Sequence, residues 1–395
     1  MKNTATHAAV SIPGLDRIGG AERQAMLLAK GLRRRGWQVS VVALSGNGGA
    51  AAAELRDCGV TFTSLGMRKG LADPRGWIRF HRWLSRERPD VLHAHLPHAA
   101  WLCRWSRVAA SVPVVIDTLH SSSTGKTGRH FGYTCSRWLP DHVTAVSHAT
   151  AASHLAAGMV RGKQLSILGN GIDVAAWEPN AQARSSMRQL LGFRDEFLWI
   201  AAGRLESVKD YPTLLKAFAC APQNARLLVL GTGPQQCELV ALAAQLGLEQ
   251  RVRFLGFEPN VEPWMQAADG FVLSSRYEGL PMVLLEAGAC GVPAVATDVP
   301  GTREVMIDGV NGLLAKAGDP CSLGEAMTRL MSIPAEQRHA MGERARQRVI
   351  AEFSLETVLD RWECLYEELL DRKNVNWRKR LTAREIFSRR RAASA

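Results

Sequence analysis

Two carboxylates eight residues apart, Glu278 and Glu286, lie in the stretch YEGLPMVLLEAGACGVPAVATDVPGTRE, from Tyr277 to Glu304. The run from Gly270 to Ser274 just before it, apolar and ending in polar residues, predicts a buried strand. Glu278-Gly279-Leu280-Pro281 predicts a turn, with Pro281 suited to the first turn of a helix. Met282 to Ala289 predicts a mostly apolar helix, Gly291-Val292-Pro293 stops it, and Ala294 to Thr297 begins another strand. Such a unit binds ligands at the carboxyl ends of its strands, where helix N-termini offer free N–H groups. Both carboxylates then face one polyhydroxylated ligand, while the amides of Gly279, Leu280, Met282 and Val283 face a phosphate. The same spacing also fits a solvated Glu286 and a capping Glu278.

A second pair is cationic. Phe197 to Ala202 predicts a strand ending in Gly203-Arg204-Leu205-Glu206, and Lys209-Asp210-Tyr211-Pro212 opens a helix. Arg204 supplies a fork of donors for phosphate oxygens and Lys209 a point charge. At a strand end and a helix start, the two suit a diphosphate clamp; taken alone they also read as surface charges. His120 follows a strand from Pro113 to Thr118, just before a Ser-rich loop. That is the place of a ligand-contacting residue, or of a solvent-facing loop histidine. Gly19-Gly20 stands between a weak first strand, Ala8 to Ile12, and a helix opening at Ala21. It lets a phosphate or sugar approach the backbone, or is simply a turn.

Other constellations point away from metals and from a P-loop. His93, His95 and His98 crowd one strand end, but no carboxylate or cysteine set completes a zinc site. The eight cysteines show no C-x-x-C spacing, which argues against zinc and against a disulfide framework. Gly125-Lys126-Thr127 is not a Walker A end, because residue 120 is His where a Gly is required. Gly125 and Gly128 instead read as a mobile loop over the cleft.

The elements that must position these groups form an α/β alternation that restarts near residue 196. A chain of 395 residues is long enough for two or three domains. No run of about 18 apolar residues is present, so no membrane span is expected. The first ten residues have no apolar core for a signal peptide, and a reducing cytoplasm is the expected compartment. Charge is uneven. Residues 1–180 carry 22 Lys and Arg against 11 Asp and Glu, residues 181–370 carry 18 against 24, and residues 371–395 carry 9 against 2. A basic first half and a basic tail suggest an anionic partner, either phospholipid head groups or a phosphate-bearing acceptor. Nucleic acid is not expected, since no zinc finger, RNA-binding aromatic signature or basic zipper is present. Trp77 to Leu84 predicts an amphipathic helix covering the sheet, with a basic face available to head groups.

Several motifs occur in order: GGAER at residues 19–23, the NGID turn at residues 170–173, GRL-x3-KD at residues 203–210, and E-x7-E followed by PGTRE. Together they resemble the retaining glycosyltransferases of family 4, over roughly residues 8–370. The resemblance implies the GT-B fold: two Rossmann-like, doubly wound domains facing across a cleft, with a C-terminal helix crossing back. The expected division is 1–173, a linker at 174–195, 196–354, a crossover helix at 355–370 and a basic tail at 371–395.

The resemblance further implies transfer of a sugar from a nucleoside diphosphate, UDP favoured over GDP, without metal or cofactor. Arg204 and Lys209 would neutralise the leaving diphosphate, helped by Met282, Val283 and the helix dipole. Glu286 would hold the ribose, and Glu278 the sugar hydroxyls and an oxocarbenium-like transition state. His120 and Gly20 would complete the pocket. The acceptor implied is a lipid-linked, polyprenyl-diphosphate or growing surface glycan, reached by a peripheral enzyme at the inner face of the plasma membrane. A nucleotide-sugar epimerase and a non-catalytic sugar- or membrane-binding scaffold remain the alternatives.

Overall fold

Strands buried on both faces are expected to be short, apolar and parallel, because helices cover each side of the sheet. The computed structural model, which describes residues 6–16, 18–68, 73–124 and 127–373, has two such sheets. The first contains β1 (His7–Ile12), β2 (Gln38–Ala43), β3 (Thr61–Ser64), β4 (Val91–His95), β5 (Val114–Leu119), β6 (His142–Ala145) and β7 (Leu165–Ile167). The second contains β8 (Phe197–Ala202), β9 (Ala225–Leu230), β10 (Val252–Gly256), β11 (Gly270–Leu273), β12 (Ala294–Thr297) and β13 (Gly312–Ala315).

Their orders are β3-β2-β1-β4-β5-β6-β7 and β10-β9-β8-β11-β12-β13, and every pairing is parallel. Each sheet reverses its winding once, between β1 and β4 and between β8 and β11. Ligand crevices of doubly wound sheets open at such points. Two compact units result: residues up to Gly171 joined by the helix Leu355–Arg372, and Ile172–Ser354.

The first strand, weak in the sequence, is central and wholly buried. Its small residues suit that place: Ala8 and Val10 enter one apolar layer and Ala9 the opposite one. The helix Leu355–Arg372 completes the first layer with Leu355, Val358, Leu359, Trp362 and Tyr366, an i, i+3, i+4, i+7, i+11 pattern. It lies against the helix Gly20–Arg34 at Gly31, where a Cβ would overlap the Leu359 side chain. Arg35 donates to Asp360 at 2.6 Å, to Glu363 at 2.7 Å and to Glu356 along the same helix.

Three features differ from the sequence expectations. The stretch 174–195, read as linker, contains the helix Ala181–Leu191, capped by Asn180. Its hold is ionic: Arg184 and Arg188 donate to Asp269 at 2.5 and 2.9 Å, a polar packing that periodicity does not reveal. The sequence Asp308-Gly309-Val310-Asn311-Gly312 carries a hairpin-type turn signal, yet it opens no hairpin, because β13 follows and runs parallel to β12. β13 and β3 are four-residue strands at sheet edges, too short to stand out in sequence. Gly125 of the expected loop and the basic tail beyond Lys373 lie outside the described residues. Among the described residues no helix is long and apolar enough to cross a membrane.

Candidate active site

Because β8 and β11 are neighbours, the segments leaving their carboxyl ends meet. The chain after β8 passes through Gly203 and a 3-10 turn, Ser207–Lys209; the chain after β11 runs through Ser274 to Glu278. Backbone and side chain lace the two together. Arg276 N donates to Val208 O at 2.8 Å, and Ser274 Oγ donates to Lys209 O at 2.8 Å. Arg276 Nε donates to Asp210 Oδ2 at 2.9 Å, holding Asp210 at φ +49°, a left-handed conformation unusual for a residue with a Cβ.

This brings Lys209 and Glu278, 69 residues apart in the chain, into contact. Lys209 Nζ donates to Glu278 Oε1 at 2.7 Å, and Ser275 Oγ donates to the same oxygen at 2.6 Å. The Lys209 side chain is 19% exposed and that of Glu278 11%, so the pair is partly screened from water and interacts more strongly than a surface pair. Tyr211 packs beneath it and donates to Gly203 O at 3.2 Å. Burial, and then the charge of Glu278, raises the pKa of its phenol.

Two further contacts hold the backbone from Ser275 to Glu278. Thr297 Oγ1 donates to Ser275 O at 2.5 Å. At Gly301 a Cβ would lie 2.5 Å from Glu278 O, so only glycine lets the helix Pro300–Arg303 come this close.

Among the sequence-selected residues of this unit, the placements differ. The helix Met282–Ala289 starts after Pro281 with no side-chain cap, so Glu278 is not a cap; its carboxylate goes to Lys209. Gly279, Leu280, Met282 and Val283 form the turn and first residues of that helix. Glu286 is 6% exposed, which excludes the solvated alternative. Arg204 stands apart at 80% exposure, its guanidinium 2.9 Å from Glu206.

In the first unit, the corresponding point lies at the ends of β1, β4 and β5. Gly20 opens the helix Gly20–Arg34 and is exposed, with Glu22 Oε2 accepting from Gly19 N at 3.1 Å. Gln24, one turn on, closes a two-way pair with Gly171: Nε2 donates to Gly171 O at 2.8 Å and Gly171 N donates to Oε1 at 2.9 Å. That joins the GGAER helix to the NGID turn.

The histidines regroup. His93, His95 and His120 cluster, whereas His98 is exposed on the following helix. His93 uses both nitrogens, with Nδ1 2.6 Å from Tyr366 Oη and Nε2 2.6 Å from Thr118 Oγ1. His95 Nδ1 is 2.9 Å from His120 Nε2. Burial lowers all three pKa values, to about 3 for His93 and about 4 for His120, so the rings are neutral near pH 7. Among the described residues no group of three or more His, Cys, Asp or Glu is arranged to hold a metal ion.

Sequence reasoning did not pick out Gln24, Ser275 or Tyr366, and Gly301 entered it only inside the PGTRE motif. Only Ser275 carried a local signal, a pair of hydroxyls directly after an apolar strand. The others act through residues distant in the chain.

Two doubly wound parallel sheets, each with polar groups gathered at its switch point, define the GT-B class. Residues 183–348 match the family described as glycosyl transferases group 1, and residues 18–176 match glycosyltransferase family 4. The chain is 31% identical to the N-acetyl-alpha-D-glucosaminyl L-malate synthase of Bacillus anthracis, over 73% of this chain and 78% of that protein. It is 27% identical to the lipopolysaccharide core biosynthesis glycosyltransferase LpsE of Rhizobium meliloti, over 87% of this chain and 94% of the relative. Its fold is similar to that of Anabaena Alr3699/HepE, solved in complex with UDP and glucose. The TM-score is 0.82 at 22% identity, covering 91% of this chain and 99% of the other. The chain belongs to glycosyltransferase family 4.

Proposed function

We propose that this glycosyltransferase moves a sugar, with retention and without a metal ion, from a UDP-sugar to a lipid-linked or growing bacterial surface glycan. The Lys209–Glu278 pair carries the reading. An ammonium has three donors, and one engaged with Glu278 leaves two for diphosphate oxygens. The exposed fork of Arg204 is assigned to the same diphosphate, where the two cations offset charge developing on the leaving group. The first N–H groups of the helix at Met282 and Val283 add to this.

Both donors to Glu278 converge on Oε1, which leaves Oε2 for a hydroxyl of the donor sugar and for an oxocarbenium-like transition state. Glu286, buried one turn into its helix, is assigned to the ribose hydroxyls, and Gly279 and Leu280 to the phosphate-facing turn. From the first unit, His120 is assigned to a sugar hydroxyl and Gly20 to close backbone approach. The relatives named for lipopolysaccharide core synthesis and for UDP complexes support the acceptor and donor classes.

The basic first half favours a peripheral enzyme on the anionic cytoplasmic face of the plasma membrane. On the helix Pro74–Glu87, Trp77, Ile78, His81, Arg82 and Arg86 line one surface groove, an apolar and cationic mixture suited to head groups.

The deciding measurement is the melting temperature of the purified protein in EDTA with UDP or with GDP. Stabilisation by UDP alone is the expected result. Stabilisation by GDP alone would reverse the donor assignment, and stabilisation only after Mg²⁺ is added would overturn the metal-free clamp.

A further inference from the structure

The three buried histidines are not equivalent. His93 has a partner for each ring nitrogen, Tyr366 Oη and Thr118 Oγ1. His95 and His120 share one hydrogen bond, and His95 Nε2 and His120 Nδ1 are both buried without a partner. Both rings line one small cavity with Gln24, Thr118, Gly169, Asn170 and Trp362.

Proton counting narrows the possibilities. Two neutral imidazoles carry two N–H groups, and one of them makes the shared bond. The second must sit on an unpartnered nitrogen, either His95 Nε2 or His120 Nδ1. A buried N–H without an acceptor is rarer in native proteins than an under-used lone pair. His95 is enclosed at 2% exposure, whereas His120 is half-buried at the end of β5; its Nδ1 is buried, but the ring lines the cavity, where a ligand group that enters can supply an acceptor. The favourable arrangement therefore has His95 Nδ1 donating to His120 Nε2, and His120 Nδ1–H pointing to an acceptor that arrives with the ligand.

The backbone agrees. Leu96, directly after His95, has φ +72° and ψ +152°, a region otherwise left to glycine. Strain of this kind persists only where the surroundings impose it, and it gathers at functional sites. Here it ends β4 abruptly, holding His95 in the cluster while the chain turns away into the helix that carries His98.

We propose that His95 is a positioning residue for sugar transfer: it locks the orientation of His120 and fixes the tautomer that gives an Nδ1–H to a hydroxyl oxygen of the donor sugar. The proposal rests on the glycosyltransferase reading above and adds to it the protonation state of His120 and the residue that sets it.

The test uses the full chain and two variants. His95→Phe keeps a ring but removes the donor, and His95→Asn places an amide nitrogen near the position of Nδ1. Long-range ¹H–¹⁵N spectra of histidine-labelled, ligand-free protein should show His120 protonated at Nδ1 in the wild type and in His95→Asn. In His95→Phe that tautomer should be lost. Release of UDP from UDP-glucose, UDP-galactose and UDP-N-acetylglucosamine gives the second readout. In His95→Phe kcat should fall by about 10²-fold with KM little changed, and His95→Asn should recover most of it. A His120 protonated at Nε2, or a tautomer and kcat unmoved in His95→Phe, would overturn the proposal. A wild type that releases UDP from none of the three donors, yet shows the expected tautomer and its loss in His95→Phe, would sink the donor assignment instead and keep His95 as the residue that sets His120.

Discussion

The two switch points solve different problems with different chemistry. In the second unit, Lys209 and Glu278 form a charged pair, partly open to solvent and tied to neighbouring backbone by short hydrogen bonds. In the first, His93, His95 and His120 are held neutral by burial and joined ring to ring. A charged pair that keeps some access to water can meet a diphosphate without losing its own stabilisation, since each charge already has a partner. A neutral cluster cannot attract an anion, but it can orient hydroxyl groups through N–H donors whose direction is fixed. One fold, used twice, thus has an ionic end at one switch point and a non-ionic end at the other, which the proposed function assigns to the leaving group and to a sugar hydroxyl.

The sharpest way to break this contrast is to remove the charge from the ionic end. Lys209→Ala should lower turnover of a UDP-sugar by about 10³-fold and abolish stabilisation by UDP while the protein stays folded. Turnover within a few-fold of wild type would place the diphosphate elsewhere.

A geometric test comes next. Gly301→Val puts a side chain where Glu278 O already lies, displacing the carboxylate without removing it. Turnover should fall by about 10²-fold, whereas the neighbouring Thr302→Ser should be nearly silent.

The non-ionic end is probed by pH. The His93 and His120 values lie at about 3 and about 4 in the folded protein, below the ordinary 6.5. Below pH 6.5 the unfolded chain binds more protons than the native one, so stability falls as pH drops towards 4 and is level above 6.5. A melting-temperature profile should show this decline, and His120→Asn should make it shallower. An equal decline in that variant would assign the effect to other groups.

The smallest effect is structural. Gly31→Ala sets a methyl against Leu359, and the Leu359 side chain must move to admit it. The cost should be about 1–3 kcal/mol, read as a lowered melting temperature, and should largely vanish when the same change is made in a Leu359→Ala background.

Much of this molecule is legible in the sequence. The strands bearing Phe197–Ala202 and Gly270–Leu273, and the helix Met282–Ala289, follow from local apolar runs and Gly/Pro punctuation, which act over a few residues. Edge strands such as β3 and β13 are not, because four residues carry no period. Nor is the helix Ala181–Leu191, whose stabilisation comes from Arg184 and Arg188 reaching Asp269 rather than from an apolar face.

By itself the sequence determined which side chains stand at or just beyond strand ends, Lys209, Glu278, His95 and His120, and that Glu286 lies one turn into the helix that follows. Their partners were decided only by tertiary structure. Lys209 meets Glu278 because β8 and β11 lie side by side, and His95 meets His120 because the register of β4 against β5 sets their ends level. Spacing along the chain carries no record of strand order, and it is strand order that turns scattered polar residues into a site.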